Sequence, residues 1–262
     1  MNKYLRFDNL HDFWSCAFRE STAYIKSSRK ASSDWYGGAG WQEAKNLAIC
    51  GWTDVLEEIS KIRVNLLETI TGKMEIRLPE YGIAGGVIDV GEYLCGSPEY
   101  FIKSVPAEYE NQGKIIRVVC SIACSADISP EVIIKKGAVI CALIDALEML
   151  GYRCEVIANS TCSFYSSRFE VDVCIKKANQ TLNMAETVFC LAHPAMFRRM
   201  MFSVKEQEGW SDYAYAYGYP AEAKDKGNLY INKIFNREVV NSKAIECVIS
   251  QLKKLGVTIN YN

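Results

Sequence analysis

The chain has 262 residues, of which 49% are hydrophobic, and its 30 basic and 31 acidic side chains leave a net charge of −1. This composition is typical of a globular protein with a full core, and it gives no bulk attraction to nucleic acid or acidic membranes. The first residues lack the apolar run of a secretory signal, and the longest apolar stretch, residues 137–150, is too short to span a bilayer. We therefore expect a soluble, cytoplasmic protein.

Residues 1–73 are predicted to form a helical N-terminal region. Amphipathic spacing indicates a helix over residues 8–20, followed by a polar loop rich in Ser and Gly. Two further helices are predicted over residues 41–50 and 52–71, with Gly51 as the stop between them.

Residues 74–113 are predicted to be a connector. Short apolar pieces such as GVIDV and YFIKSV are separated by Gly and Pro, a pattern that indicates short strands or irregular segments. The connector contains too little apolar mass to fold alone, so we expect it to pack on the core.

Residues 114–262 are predicted to form a Rossmann-like α/β domain. The run IIRVVCSI has the β-branched residues of a strand buried on both faces, and Ser129 and Pro130 precede the next helix as N-cap and first helical residue. The helix over residues 182–208 is expected to bend near Pro194. The predicted strands are 115–122, 153–158, 169–176, 227–235 and 257–260, and the predicted helices are 131–150, 182–208 and 242–255.

Strand–helix alternation predicts one mostly parallel central sheet with flanking helices. Strands 153–158 and 169–176 are too close for a helix between them, so we expect a hairpin that makes 169–176 an antiparallel edge. This order of elements resembles the von Willebrand factor A-like fold. That resemblance covers residues 114–262.

A second resemblance rests on three sequence blocks. The blocks DWYGGAGWQEAKNLAICGW (34–52), GGVIDVGEYLCGSPEYF (85–101) and IIKKGAVICALIDALEMLGYRCEV (133–156) are similar to an uncharacterised domain family of bacteriophage and prophage proteins. The resemblance implies a phage or mobile-element origin, and a phage-encoded protein would act in the host cytoplasm. It supplies no catalytic residues.

A polar ligand crevice is predicted at the carboxyl edge of the sheet, because ligands of open α/β sheets bind there. A von Willebrand factor A-like metal site would need an Asp at the end of the first strand, and none is present, so no metal is predicted. Ordinary loop solvation is the alternative to a binding site. The candidate crevice residues are Ser121, Ser125, Asp127, Ser129, Asn159 and Thr161.

The eleven cysteines are scattered without a C-x-x-C pair, and most lie in apolar runs. We predict reduced, mainly buried structural thiols. His11 and His193 are the only histidines, which disfavours zinc, and His193 is interpreted as a structural residue near the helix bend. No cofactor is predicted.

Residues 210–220, which we call the tyrosine segment, have an unusual composition. If the segment is extended, its alternating tyrosines share one side. Such a side favours protein contacts, while base stacking and simple packing are the alternatives. The candidate protein-binding residues are Trp210, Tyr213, Tyr215, Tyr217 and Tyr219.

These observations favour a non-catalytic protein-interaction module of phage origin that docks on a host protein, such as a defence protein, or associates with itself as a homo-oligomer. The first alternative is an enzyme that acts on nucleotides or nucleic acid at the carboxyl edge of the sheet. The second is a phage assembly or structural factor. An enzyme should present a deep pocket at the crevice, and a binding module should present an apolar patch.

Overall fold

Two long strands, Arg153–Phe164 and Ser167–Lys176, form an antiparallel hairpin in the centre of the molecule. The computed structural model describes residues 1–70, 80–83, 87–88, 90–103 and 114–233. The hairpin confirms the pairing predicted from the short spacing between these two strands. Both strands are longer than predicted.

The strands fall into a central sheet and a small sheet of three short strands. The small sheet has the order β2-β4-β3 and comes from the predicted connector. In chain order, the strands are β1 (Asn2–Phe7), β2 (Glu80–Gly82), β3 (Val87–Ile88), β4 (Phe101–Lys103), β5 (Ile115–Ser121), β6 (Arg153–Phe164), β7 (Ser167–Lys176), β8 (Tyr219–Pro220) and β9 (Leu229–Ile231).

The central sheet has the order β1-β7-β6-β5-β9, and the short strand β8 also pairs with β6. The pairs β1·β7, β5·β6 and β5·β9 are parallel, whereas β6·β7 and β6·β8 are antiparallel. With helices packed against it, this sheet confirms the predicted α/β class with a mostly parallel central sheet.

The prediction that residues 169–176 form a sheet edge is wrong. Strand β1 pairs in parallel with β7 from Asn2↔Arg168 to Phe7↔Val173, so the N-terminal strand lies outside the hairpin. Leu5 and Phe7 pack against the core, while Tyr4 lies on the opposite face and donates a hydrogen bond to Asp172 at 2.9 Å. The N-terminal region therefore contributes a strand to the central sheet as well as helices.

The helices predicted within residues 8–20, 41–50, 52–71, 131–150 and 182–208 are present, whereas the short helices Val90–Leu94 and Trp210–Tyr213 were not predicted. A 3₁₀ turn covers Asp34–Tyr36 and a π-helix covers Met196–Met201. The α-helices are α1 (Leu10–Ala17), α2 (Trp41–Cys50), α3 (Leu56–Ile70), α4 (Val90–Leu94), α5 (Pro130–Met149), α6 (Met184–Ala192), α7 (Phe202–Gln207) and α8 (Trp210–Tyr213).

The predicted bend near Pro194 is confirmed. Helix α6 ends before His193, whose backbone is extended, and the π-helix and α7 continue after it. Proline cannot donate the backbone hydrogen bond of a continuous helix, which accounts for the interruption.

The predicted helix over 242–255 and strand over 257–260 lie outside the described residues. None of the helices in the described part of the chain is long and apolar enough to cross a lipid bilayer.

The main core lies between the central sheet and helices α5 and α6. Val118, Val156 and Val171 are fully buried there, and alternation along the strands places Val119 and Ile157 in a smaller cluster on the other face.

Helices α5 and α6 approach each other closely at Gly137, which faces α6. A Cβ atom on Gly137 would lie 2.2 Å from Cα of Ala192, so the spacing of the two helices depends on this glycine.

Candidate functional site

A cavity of about 660 Å³ opens at the carboxyl ends of β5 and β6. We call it the edge pocket. Its walls come from five parts of the chain: the loop after β5, the end of β6, the π-helix with α7, the tyrosine segment, and the loop over residues 19–40. Its lining includes Lys30, Trp35, Ser125, Ala126, Asp127, Thr161, Cys162, Phe197, Arg198, Phe202, Lys205, Ala216, Tyr217, Gly218 and Tyr219.

The loop over residues 19–40, which we call the covering loop, forms one wall of the pocket. Trp35 Nε1 donates a hydrogen bond to the carbonyl of Ala126 at 2.9 Å. Arg198 donates to the carbonyls of Trp35 at 2.6 Å and Ile128 at 2.5 Å, and its guanidinium lies 4.3 Å from the Trp35 ring centre. Arg198 thus joins the covering loop to the loop after β5.

Arg199 binds backbone carbonyl groups in two other parts of the covering loop. It donates to the carbonyl of Ala39 at 2.9 Å and to that of Ser28 at 2.7 Å, and its guanidinium lies 3.8 Å from the Tyr36 ring centre. Two consecutive arginines of the π-helix therefore fix the covering loop over the sheet edge.

The tyrosine segment forms the opposite wall. Tyr217 stacks on Phe202, with ring centres 3.6 Å apart and planes 7° from parallel. The next residue, Gly218, has φ +75°, and a Cβ atom there would lie 2.8 Å from the carbonyl oxygen of Ser163. This close approach allows β8 to pair with the end of β6 and fixes the position of the wall.

The charged residues that line the edge pocket are mainly basic. Lys30, Arg198 and Lys205 line it, with Asp127 as the acidic residue, and Lys30 and Asp127 are exposed. Arg198 is fully buried and Lys205 is 1% exposed. Burial lowers the pKa of the Arg198 guanidinium from its ordinary value.

Neither buried cation has a carboxylate partner among the described residues. The ammonium group of Lys205 lies 5.2 Å from the ring centre of Phe197 and 5.6 Å from that of Phe202. The Cys162 thiol is its hydrogen-bonding neighbour. The pocket is therefore an apolar, aromatic cavity with positive charge at its base.

Three of the six predicted crevice residues line this pocket. Ser125 and Asp127 come from the loop after β5, and Thr161 from the end of β6. The Thr161 hydroxyl donates to Oδ1 of Asn159 at 2.9 Å. Parallel strands bring these loops to one edge, as the sequence predicted.

The other three predicted residues lie outside the pocket lining. Asn159 lies two residues before Thr161 on β6 and is fully buried, and its amide donates to Asp172 at 2.6 Å. Burial raises the pKa of the Asp172 carboxyl group. Ser121 ends β5 and is buried. Ser129 occupies the N-cap position of α5, with Pro130 following, but its side chain caps no backbone amide.

The tyrosine segment is not extended, so the condition under which its tyrosines would share one side is not met. Trp210 to Tyr213 form helix α8. Trp210 is fully buried, and its Nε1 donates to the carbonyl of Tyr217 at 3.1 Å. Tyr217 is half-buried in the pocket wall, whereas Tyr215 and Tyr219 are 79% and 72% exposed.

Three tyrosine rings surround Phe164 at the turn between β6 and β7. The ring centre of Phe164 lies 4.6 Å from that of Tyr165, 6.0 Å from that of Tyr213 and 6.5 Å from that of Tyr215. Tyr165 and Tyr215 have φ values of +49° and +52°, and the described residues include no other non-glycine residue with positive φ. Such a backbone is strained for tyrosine.

Ten cysteines are free in the described part of the chain; Cys50 and Cys95 are exposed and the other eight are buried. The predicted burial of most thiols is thus confirmed, and burial raises the pKa of Cys120 and that of Cys154 to about 12. Among the described residues, no group of three or more His, Cys, Asp or Glu side chains could hold a metal ion.

The sequence did not reveal the basic residues of the pocket. Arg198 and Lys205 lie in AMFRRMMFSVK, where the surrounding apolar residues predict an amphipathic helix with solvated charges. The sequence signal for buried arginines was their position as a pair within a largely apolar run. Arginines on a solvated helix face would not be surrounded by apolar residues in this way. Trp35 lies in the polar loop, and the sequence did not indicate that it lines a pocket.

A family model described as a domain of unknown function, DUF7192, matches residues 2–259. No curated protein and no solved structure matches the chain.

Proposed function

The chain belongs to this domain family of unknown function, and we propose that it is a ligand-binding protein whose site is the edge pocket. The observation that carries the proposal is the cavity of about 660 Å³ at the carboxyl ends of the parallel strands β5 and β6. Ligand sites of proteins commonly measure about 300–1,000 Å³, and those of open α/β sheets lie at this edge.

The construction of the walls supports the proposal. Arg198, Arg199 and Glu206 bind backbone groups of the covering loop, and β8 is fixed on β6 by pairing. The cavity is therefore formed by anchored segments on both sides. A pocket that is already formed loses less entropy when a small molecule binds than one that must order its loops.

The test is a ligand-observed NMR screen of a diverse set of small aromatic and polar compounds. Ala126 and Ala216 line the pocket and are exposed, so Ala126→Trp and Ala216→Trp should obstruct it without disturbing the core. Ile49→Trp is the control, because Ile49 is 67% exposed on α2 and lies outside the pocket.

We expect compounds that bind the unmodified protein and Ile49→Trp, and that lose binding in both pocket variants. Compounds that bind all four proteins equally, or a screen without any binder, would show that the edge pocket is not a ligand site.

We propose protein binding through the exposed tyrosines as a second function. The supporting observation is the strained backbone of Tyr165 and Tyr215, since strain of this kind is kept mainly where a residue has a role. Both rings contact Phe164 and are 91% and 79% exposed. The occupant would be a protein, either a second copy or a host protein.

The double variant Tyr165→Ala with Tyr215→Ala tests this second function. Loss of self-association in light scattering, at an unchanged melting temperature, would support it. A protein that stays monomeric at every concentration would refute the self-association form. In that case, binding to a host protein would be tested with a purified partner, whose affinity for the double variant should be lower than for the unmodified protein. A phage or prophage origin and a von Willebrand factor A-like relationship remain proposals that rest on the sequence blocks and the order of elements.

A further inference from the structure

The edge pocket contains a buried cation, Lys205, whose burial is not balanced by an acidic partner among the described residues. Lys205 is 1% exposed, and no described carboxylate or carbonyl group lies within hydrogen-bond distance of its ammonium group. Removing an ammonium group from water is costly unless it is paired, and buried charges in proteins are normally paired. Lys176 is the comparison in this chain, because it is equally enclosed and binds Glu148 at 2.8 Å and the carbonyl of Cys154.

Arg198 adds a second buried positive charge to the same cavity. Its two terminal nitrogens bind carbonyl groups, and carbonyls do not neutralise its charge. The acidic Glu206, next to Lys205 in sequence, is not part of the pocket lining. It accepts hydrogen bonds from Ser27, Ser28 and Tyr217. Of the acidic residues, only the exposed Asp127 lines the described pocket.

The rest of the lining fits a flat, apolar group. The rings of Trp35, Phe197, Phe202, Tyr217 and Tyr219 line the cavity. Aromatic rings interact favourably with other planar rings by stacking or by edge-to-face contact, at centre distances of about 4.5–7 Å. A ligand with a planar ring would therefore find contacts along the walls, and an anionic group would find the cations at the base.

We propose that the edge pocket binds an aromatic oxyanion, a planar ring that bears a phosphate or carboxylate group, and that Lys205 binds the anionic group. The inference rests on the proposed ligand-binding function and adds the chemical class of the ligand. Lys205 supplies three donors from a compact charge, and Arg198 contributes positive potential in the same lining. Thr161 and Ser125 supply hydroxyl groups in the same lining.

The experiment is calorimetric titration of the full chain with matched pairs of probes. Adenosine monophosphate is paired with adenosine, and 4-hydroxybenzoate with 4-hydroxybenzyl alcohol, so that each pair differs in the anionic group. Inorganic phosphate alone is the probe for the anion without a ring. We expect one anionic probe to bind at least about tenfold more tightly than its neutral partner, which corresponds to about 1.4 kcal/mol. Phosphate alone should bind weakly.

Two variants test whether Lys205 causes the preference for the anionic probe. Lys205→Met keeps the length of the side chain and removes its charge, and it should abolish the preference for the anion while leaving the neutral probe unaffected. Lys205→Arg should retain most of the preference. If Lys205→Met does not fold, the comparison of anionic and neutral probes on the unmodified protein still decides whether the pocket selects anions.

The outcomes separate this inference from the proposed function. Equal binding of anionic and neutral probes, lost in Ala216→Trp, would overturn the oxyanion inference and sustain the ligand site. An anion preference that survives Lys205→Met would overturn the role of Lys205. Failure of every probe to bind at millimolar concentration, together with a failed screen, would overturn both. Preference for the phosphate or for the carboxylate pair identifies the source of the oxyanion.

Discussion

The phenolic hydroxyl of Tyr217 donates a hydrogen bond to Oε1 of Glu206 at 2.5 Å. The same carboxylate accepts hydrogen bonds from the backbone amides of Ser27 at 2.8 Å and Ser28 at 2.9 Å. One buried acidic side chain therefore joins the two opposite walls of the edge pocket. Burial, followed by this hydrogen bond, raises the pKa of the Tyr217 hydroxyl well above its ordinary value.

Tyr217→Phe should lower the free energy of unfolding by about 1–3 kcal/mol, because it leaves a buried carboxylate short of one donor. Chemical denaturation measures the loss. Tyr219→Phe is the matched control, since Tyr219 is 72% exposed and should tolerate the change. If the two variants were equally stable, the Tyr217–Glu206 bond would not hold the pocket walls together.

His193→Asn should reduce the loss of stability in acid. Burial lowers the pKa of His193 to about 4, and its Nδ1 accepts a hydrogen bond from the Ala195 amide at 3.1 Å. Between pH 6.5 and 4 the unfolded chain binds a proton that the folded protein excludes, so stability falls as pH falls through this window. The loss from this one group amounts to about 3 kcal/mol at most.

The measurement is the free energy of unfolding at pH 7 and pH 4.5. The decrease between the two should be smaller in His193→Asn than in the unmodified protein by about 2 kcal/mol. His11→Asn, at an exposed position of α1, should keep the full decrease. An identical decrease in all three proteins would rule out the buried, neutral state of His193.

Gly137→Ala should destabilise the protein although alanine favours helices. The gain in helix propensity is about 1 kcal/mol, whereas overpacking costs about 1–3 kcal/mol. The added Cβ would lie 2.2 Å from the backbone of Ala192, which cannot move as a single side chain can, so overpacking should prevail. Lys135→Ala, at an exposed position of the same helix, is the control for helix propensity alone. A raised melting temperature in Gly137→Ala would mean that α5 and α6 are not in close contact.

Cys50 and Cys95 should react first with a polar maleimide at neutral pH. They are the exposed cysteines of the described residues, and the other eight are buried with little thiolate character. Because Cys247 lies outside the described residues, the measurement uses a Cys247→Ser background. Two thiols per chain should label fast, and Cys50→Ser with Cys95→Ser should remove the fast phase. Fast labelling of further thiols in the native protein would show that the core opens readily.

The sequence predicted the elements whose hydrophobic periodicity is long and uninterrupted. Helix α5 and the run of β5 are examples, because each buries apolar residues at a regular spacing. The predicted strand order also placed a candidate site at the carboxyl edge of the sheet, because parallel strands bring the loops that follow them together. Ser125, Asp127 and Thr161 were found in this way.

What the sequence missed depends on contacts between distant parts of the chain. Strand β1 has only six residues, NKYLRF, in which polar and apolar side chains do not alternate regularly, and nothing near it in sequence shows that its partner is β7. The burial of Arg198 and Lys205 depends on the covering loop, whose sequence predicts only a polar loop. Trp210, at the start of the tyrosine segment, is buried against Phe169 of β7, a contact that the local sequence does not show.

The parallel pairing of β1 with β7 has a consequence for synthesis on the ribosome. The amide of Arg168 donates a hydrogen bond to the side chain of Asn2 across 166 residues of sequence, so β1 is synthesised long before the strand with which it pairs. Contacts of such long range slow folding, and an unpaired strand is prone to associate with other chains. A nascent chain released before residue 176 should therefore leave β1 open to proteases and chaperones. Once the hairpin has formed, β1 can pair with β7.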